Sequence, residues 1–173
     1  MDEVFLKQII EALLMASGQP ISIDKLQAIL GDELKPTRLH IETALAGLET
    51  DYANRSIELK CLASGYCFQT KKQFSSWITR LFAEKPVKYS GALLEILSII
   101  AYRQPVTRAE IEDIRGVAVS SSIIKTLLER EWVRIAGHRD IPGKPAVYVT
   151  TKIFLDYFNL ASLNELPSLG ELK

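Results

Sequence analysis

The segment Ala16-Ser17-Gly18-Gln19-Pro20-Ile21-Ser22 returns as Ala101-Tyr102-Arg103-Gln104-Pro105-Val106-Thr107, 85 residues further along the chain. The same offset of 85 sets Leu14 against Ile99, Leu26 against Ile111, Ile29 against Ile114 and Gly31 against Gly116, with no gap. Similarity at a fixed offset constrains architecture before any local propensity is weighed. A single pair of similar units is not a solenoid, so the chain reads as two small domains of one fold. Its 173 residues accommodate two such units, each of roughly 80 residues. Domains of that size bury limited surface. A composition that is 47% hydrophobic leaves apolar material for packing between domains or between chains.

In the first unit Phe5, Ile9, Ala12, Leu13 and Ala16 recur at helical spacing, and Leu6, Ile10 and Leu14 widen the stripe. An arc this broad predicts a helix contacted on two sides, with Leu6, Ile10 and Leu14 off the main stripe. Gly18-Gln19-Pro20 ends it. Ser22 caps a short second helix that has Asp24 in its first turn, and Gly31 stops it. A third helix from about Pro36 to Tyr52 puts Ile41, Leu45, Leu48 and Tyr52 on one face. Alternation at Ile57, Leu59, Cys61 and Ala63 predicts a strand, and beyond Ser64-Gly65 the residues Tyr66 and Phe68 continue its apolar face. A closing helix carries Phe74, Trp77, Ile78, Leu81 and Phe82.

Ala83 to Tyr89 reads as a linker with Lys85-Pro86 at its centre, short enough to let two domains take more than one orientation. The pattern then repeats. Leu93 to Ala101 is an almost continuous apolar run suited to a central helix. Thr107 with Glu110 forms a capping box for a helix bearing Ile111 and Ile114, and Gly116 stops it. Ser120 to Ser122 open a third helix with Ile123, Ile124, Leu127 and Leu128. Strand residues Val133 and Ile135, the loop Gly137 to Pro145 and the strand Ala146 to Thr150 make a second hairpin. A short helix from Lys152 to Phe158 follows. From Thr70 to Thr150 and from Phe74 to Phe154 the offset is 80, the change expected of a loop of different length between equivalent strands.

Three helices, a hairpin and a closing helix, twice, describe two tandem winged helix-turn-helix domains, a mainly α fold with small β-hairpins (α+β). The expected boundaries are 1–82 for the first domain, 83–89 for the linker, 90–160 for the second domain and 161–173 for a loosely ordered tail.

Lysine plus arginine and aspartate plus glutamate each number 21, so no net charge draws the chain to nucleic acid or an anionic membrane. No apolar run is long enough for a membrane span, and the acidic start Met1-Asp2-Glu3 argues against a targeting peptide. A cytoplasmic protein is expected. With Ser64-Gly65 as the hairpin loop, Cys61 faces Phe68 and Cys67 faces Leu62. The thiols then point to opposite sheet faces and cannot bridge.

Catalysis has little support. The two histidines, His40 and His138, fall in different domains. His40 is expected to face solvent, and His138 lies in a wing loop. Neither has a His or Cys neighbour at metal-ligand spacing, and no phosphate loop is present. Glu112 and Asp113 read as a solvated helix face. No enzyme activity, metal or cofactor is expected.

The run Ala101-Tyr102-Arg103-Gln104-Pro105-Val106-Thr107-Arg108-Ala109-Glu110-Ile111, with Ile114-Arg115-Gly116-Val117, resembles the signature of bacterial segregation and condensation protein B. Gly137-His138-Arg139-Asp140 with Pro142-Gly143-Lys144-Pro145 is similar to its second wing. In the first domain Glu11-Ala12-Leu13-Leu14, Ala16 to Pro20 and Gly65-Tyr66 also match, so the resemblance covers most of residues 4–160. Cys61 and Cys67 depart from it, standing where an aliphatic and a basic residue are expected. The resemblance implies a non-catalytic subunit of the bacterial condensin that acts in chromosome condensation and segregation. It implies a homodimer formed through the first domain and binding to the kleisin subunit, segregation and condensation protein A. Through the kleisin it implies a link to the SMC ATPase, and so a place at the nucleoid.

The residues leave two readings of partner. A winged-helix DNA-binding transcriptional regulator would present Arg, Lys, Asn or Gln to base edges. Arg38 is accompanied by Glu42, Glu49 and Asp51, and in the second domain Glu110, Glu112, Asp113, Glu129 and Glu131 offset Lys125, Arg130, Arg134 and Lys144. Direct DNA binding is therefore expected to be weak or absent. For protein binding, Tyr102, Arg103, Arg108 and Arg115 cluster around the second helix-turn-helix, where arginine and tyrosine are frequent anchors. The same residues could instead cap helices or pack between them. Val117 and Val119 in the turn, Arg139 in the wing and Ile141 at its tip complete the candidate surface. Where the first copy has Ser17-Gly18 the second has Tyr102-Arg103, and where the first has Ile23 the second has Arg108. One copy is thus expected to serve self-association and the other to carry more of the partner surface.

Overall fold

A computed structural model describes residues 2–31, 33–82 and 88–168. In the first unit α1 (Glu3–Ser17) begins at Asp2, whose carboxylate accepts the Val4 amide at 3.0 Å, and ends at Gly18 with φ at 60°. Its buried residues are Leu6, Ile10 and Leu14, while Phe5 is 52% exposed and Ile9 and Leu13 are half-buried. This reverses the sequence expectation. A broad apolar arc leaves the core-facing direction undetermined, and α3 packs on the side that carries Leu6, Ile10 and Leu14.

Ser22 caps α2 (Ile23–Leu30) through the Lys25 amide. Thr37 caps α3 (Arg38–Tyr52) in a reciprocal box with His40, whose Nδ1 accepts the Thr37 amide at 3.3 Å. His40 is exposed and serves the helix end. Gly31 keeps a right-handed conformation with φ at −63°, and the chain turns on to Leu34 without the left-handed stop expected there.

Strands β1 (Ile57–Leu62) and β2 (Gly65–Thr70) pair antiparallel, with Cys61 opposite Tyr66 and Lys60 opposite Cys67. The loop is Ala63-Ser64, one residue earlier than expected. Gly65 belongs to the strand, opposite Leu62, and Tyr66 beside it is bridged to Ile21, each amide reaching the other's carbonyl at 2.9 Å. The cysteines still take opposite faces, Cys61 exposed and Cys67 buried. Helix α4 (Ser75–Phe82) follows a short turn at Lys72–Phe74, and its Trp77 and Leu81 lie open to solvent.

The second unit repeats the plan. Helix α5 (Gly91–Arg103) is capped by Ser90. A two-residue strand β3 (Val106–Thr107) leads into α6 (Arg108–Arg115), whose expected capping box is present: the Glu110 carboxylate accepts the Thr107 amide at 2.6 Å. Gly116 closes α6 in the left-handed region, φ 71°. Helix α7 (Ser121–Glu129) precedes β4 (Val133–His138) and β5 (Ala146–Thr150), and α8 (Lys152–Tyr157) follows. The sheet order is β3-β5-β4, all antiparallel, with a bulge between Ile135 and Gly137. The third strand was not foreseen, since two residues carry no alternation to read.

Each unit is a winged helix-turn-helix with its own core, built around Leu6, Ile10, Leu26, Ile41 and Leu48 in the first and Ile96, Ile100, Ile111, Leu127 and Trp132 in the second. The chain divides into Met1–Lys85 and Pro86–Lys173. Residues 83–87, most of the expected linker including Lys85-Pro86, lie outside the described residues. So do residues 169–173.

Residues 161–168 depart from the loose tail expected of them. They form a turn at Leu163–Glu165, closed by the Glu165 carboxylate on the Ala161 amide at 2.9 Å. Leu160 and Leu166 pack on the second core. Both leucines are half-buried there, and Tyr102 supplies a hydrogen bond for the Pro167 carbonyl.

Candidate functional site

Helix α5 is apolar almost all round, so one side can fill the core while another faces outward. Leu93, Ile96, Leu97 and Ile100 point inward. Leu94 remains 39% exposed and Ser98 is exposed. Beside this outer side stand Ile114 of α6, 51% exposed, Phe158 after α8, and Leu166 and Pro167 of the C-terminal segment. Together they wall an apolar groove of about 490 Å³.

Its polar groups are few. The Ser98 hydroxyl donates to the Leu94 carbonyl at 2.8 Å, and the Tyr102 hydroxyl to the Pro167 carbonyl at 2.6 Å. Arg103 stands at the rim, exposed. Among the described residues no carboxylate lines the groove.

The floor is held by aromatic rings packed tilted and edge to face. Phe154 and Phe158 lie 5.0 Å apart between centroids, and Phe158 meets Trp132 at 5.4 Å. Tyr157 and Tyr89 pack on Trp132 at 4.6 and 5.2 Å, and their hydroxyls share a hydrogen bond of 2.7 Å. That bond raises the Tyr157 pKa by holding the proton. The Arg130 guanidinium covers Tyr89 and Trp132. Contacts of this kind fix ring positions as well as burying area.

Of the residues singled out in the sequence, Tyr102 and Arg103 fall together in this groove. Arg108, Arg115 and Arg139 act within the domain. Arg108 binds Glu112 at 3.0 Å, Ser121 at 3.0 Å and the Val119 carbonyl. Glu112 in turn accepts the Val119 amide at 2.8 Å, so one ion pair holds the whole turn between α6 and α7. Arg115 bonds Glu95 twice, at 3.0 and 2.8 Å, with a side chain only 9% exposed, tying α6 to α5. Arg139 reaches Glu110 at 3.3 Å and the Pro105 carbonyl at 3.2 Å, fastening the wing to the helix-turn-helix.

Val119 is 1% exposed and belongs to the core, which removes it from any surface: the turn held by Arg108 and Glu112 seats it inward. Val117 and Ile141 are 57% and 55% exposed, and neither lines the groove.

The amide bonds depress two carboxyl groups. Glu110 is held below the ordinary carboxylate range by the Thr107 amide, with Arg139 adding to the effect. Glu112 is lowered by the Val119 amide and then by Arg108.

Sequence reasoning missed Leu94, Ser98, Ile114, Phe158, Leu166 and Pro167. Leu94 offered one signal, since it lies off the inward spacing of Leu93, Ile96, Leu97 and Ile100. Leu160, Leu163 and Leu166 offered another, at spacing three from the end of the second domain into the stretch read as tail.

The cations of α3 and α7, the third helix of each unit, pair with carboxylates. Arg38 pairs with Glu42 at 2.9 Å and Asp24 at 3.0 Å, and Lys125 lies 3.6 Å from Glu129. Such pairs leave little charge to neutralise phosphate. Among the described residues no group of three His, Cys, Asp or Glu could hold a metal ion, and no helix is long and apolar enough to cross a membrane.

The family model described as "Segregation and condensation complex subunit ScpB" matches residues 8–169. A relative from Coxiella burnetii, "Segregation and condensation protein B homolog", is 53% identical over 173 residues, covering 99% of this chain and 82% of the relative. "Segregation and condensation protein B" of Syntrophotalea carbinolica is 45% identical, covering 99% of this chain and 85% of its own. A solved dimer of an ScpB N-terminal domain complexed with ScpA peptide is 27% identical, covering 46% of this chain and 93% of that one, with a TM-score of 0.40.

Proposed function

This chain belongs to the segregation and condensation protein B family, and from that membership we propose how it works as a subunit of the bacterial condensin. It self-associates through its first domain and holds the kleisin subunit, segregation and condensation protein A, in the α5 groove of its second. The kleisin links it to the SMC ATPase, so its contribution to chromosome condensation and segregation is structural. Its place is the cytoplasm, at the nucleoid through that complex.

The observation that carries the binding site is the groove itself. An apolar concavity with one rim cation and a rigid aromatic floor suits an apolar segment of a protein partner. An exposed apolar depression of this size on a small domain is also costly to leave uncovered, and such patches mark interaction sites.

Binding of the intact kleisin tests the reading. Ser98→Tyr fills the groove from an exposed helix position, and titration should give an affinity about tenfold weaker with the thermal melt unchanged. Absence of kleisin binding by the unaltered chain would overturn the function. Undiminished binding by Ser98→Tyr would overturn the site.

A further inference from the structure

Arg103 differs from the arginines around it. Arg108, Arg115 and Arg139 are bound to carboxylates and carbonyls of their own domain. Among the described residues the Arg103 side chain makes no hydrogen bond or ion pair, although it lines the apolar groove. It also borders a shallow depression with Glu110, Asp113 and Arg139. Glu110 is taken by Arg139, and Asp113 does not come within ion-pair distance of Arg103. The end of α5 favours a cation there through the helix dipole. That accounts for a positive charge near the helix end, not for a side chain placed on the groove.

A segment that covers the groove takes Arg103 out of water. An unpaired guanidinium at such a boundary opposes binding, whereas a matched carboxylate removes that penalty and selects the partner. Among the described residues the groove lining has no carboxylate to supply. A second copy of the same surface would bring the same lining, which holds no carboxylate among the described residues, because a two-fold contact repeats the same patch. The equivalent position in the first unit, 85 residues earlier, is Gly18, so the charge is particular to the second.

We propose that Arg103 is the specificity residue of the groove: it pairs with an aspartate or glutamate of an amphipathic kleisin segment whose apolar side chains fill the groove. This rests on the kleisin reading above. The arginine's planar fork fits a carboxylate in two-pronged fashion, which lysine cannot reproduce.

The test titrates intact kleisin against the full chain and its Arg103→Glu, Arg103→Lys and Lys144→Glu variants. Lys144, exposed in the wing and outside the groove, controls for general charge. Arg103→Glu should weaken binding by about tenfold or more, Arg103→Lys by less, and Lys144→Glu by under about twofold. Reversing kleisin carboxylates one at a time to arginine should identify one position that restores the Arg103→Glu complex. Unchanged binding by Arg103→Glu, an equal loss in Lys144→Glu, or no restoring position overturns the proposal while leaving kleisin binding standing. No binding by the unaltered chain overturns both. Sedimentation of the chain alone checks the second-copy occupant: self-association that Arg103→Glu changes would also overturn the proposal.

Discussion

Glu110 and Glu112 show how much of the second domain rests on single carboxylates. Each accepts a backbone amide and faces an arginine, and each titrates below the ordinary carboxylate value. A carboxyl whose pKa falls on folding binds fewer protons in the native state. Its stabilising contribution is therefore present above the unfolded value, near 4 for a glutamate (about 4.3 in peptides), and is lost as pH falls through the lower folded value. We expect Glu110→Gln to melt a few degrees below the parent at neutral pH, the two converging in acid. Trp132, buried in that domain, reports the transition once Trp77 is replaced by Phe. A difference that persisted unchanged into acid would mean that the charge is not what stabilises the turn.

At the level of elements, the hairpin shows what a sequence leaves open. Ser64-Gly65 has the form of a turn, and glycine is the usual hairpin residue. Yet Gly65 sits at φ 138° in the strand, where an added Cβ would collide with the Ile21 carbonyl. The requirement comes from Ile21, 44 positions away in the chain, and no local pattern carries it. The helices were legible because caps and apolar periodicity are local: Ser22 and Thr107 cap as expected. The groove was half legible. Tyr102 and Arg103 stood out against Ser17-Gly18 in the repeat, but the wall formed by Leu166 and Pro167 depends on a tail folding back. Gly65→Ala should therefore destabilise the first domain by about 2 kcal/mol through strain and collision, seen as lost amide protection at Ile21 and Tyr66. Gly91→Ala is the counterpart, since its Cβ would enter open space at the start of α5, and it should leave stability unchanged or slightly raised. Equal effects of the two changes would contradict the close approach as the cause.

For the molecule as a whole, duplication places an apolar face at matching positions in both domains. Ile114 borders the groove of the second domain, and its partner in the repeat, Ile29, is 49% exposed in the first. Leu94 and Ser98 correspond to Ile9 and Leu13 on α1, where Phe5, Ala12 and Ala16 are also exposed. The two faces differ in composition: Arg103 and a wall of C-terminal residues mark the second, while Gly18 stands at the first and α1 exposes Ala12 and Ala16. Exposed alanines on α1 permit two identical helices to approach closely about a two-fold axis. A deep groove with a rim cation suits a different partner. Self-association is therefore expected to bury the Phe5 and Ile29 face, and a carboxylate there would be repeated on both copies without a matching cation. Phe5→Glu combined with Ile29→Glu should shift the sedimenting species from dimer to monomer at micromolar concentration. Both side chains are half exposed in the isolated domain, so the far-UV spectrum and melt should change little. The same variant should still bind kleisin through the second domain, with lower apparent affinity if two linked sites normally act together. A dimer that persists in the double variant would place the self-association surface elsewhere on the first domain. The open Trp77 and Leu81 of α4 would then be the next face to change.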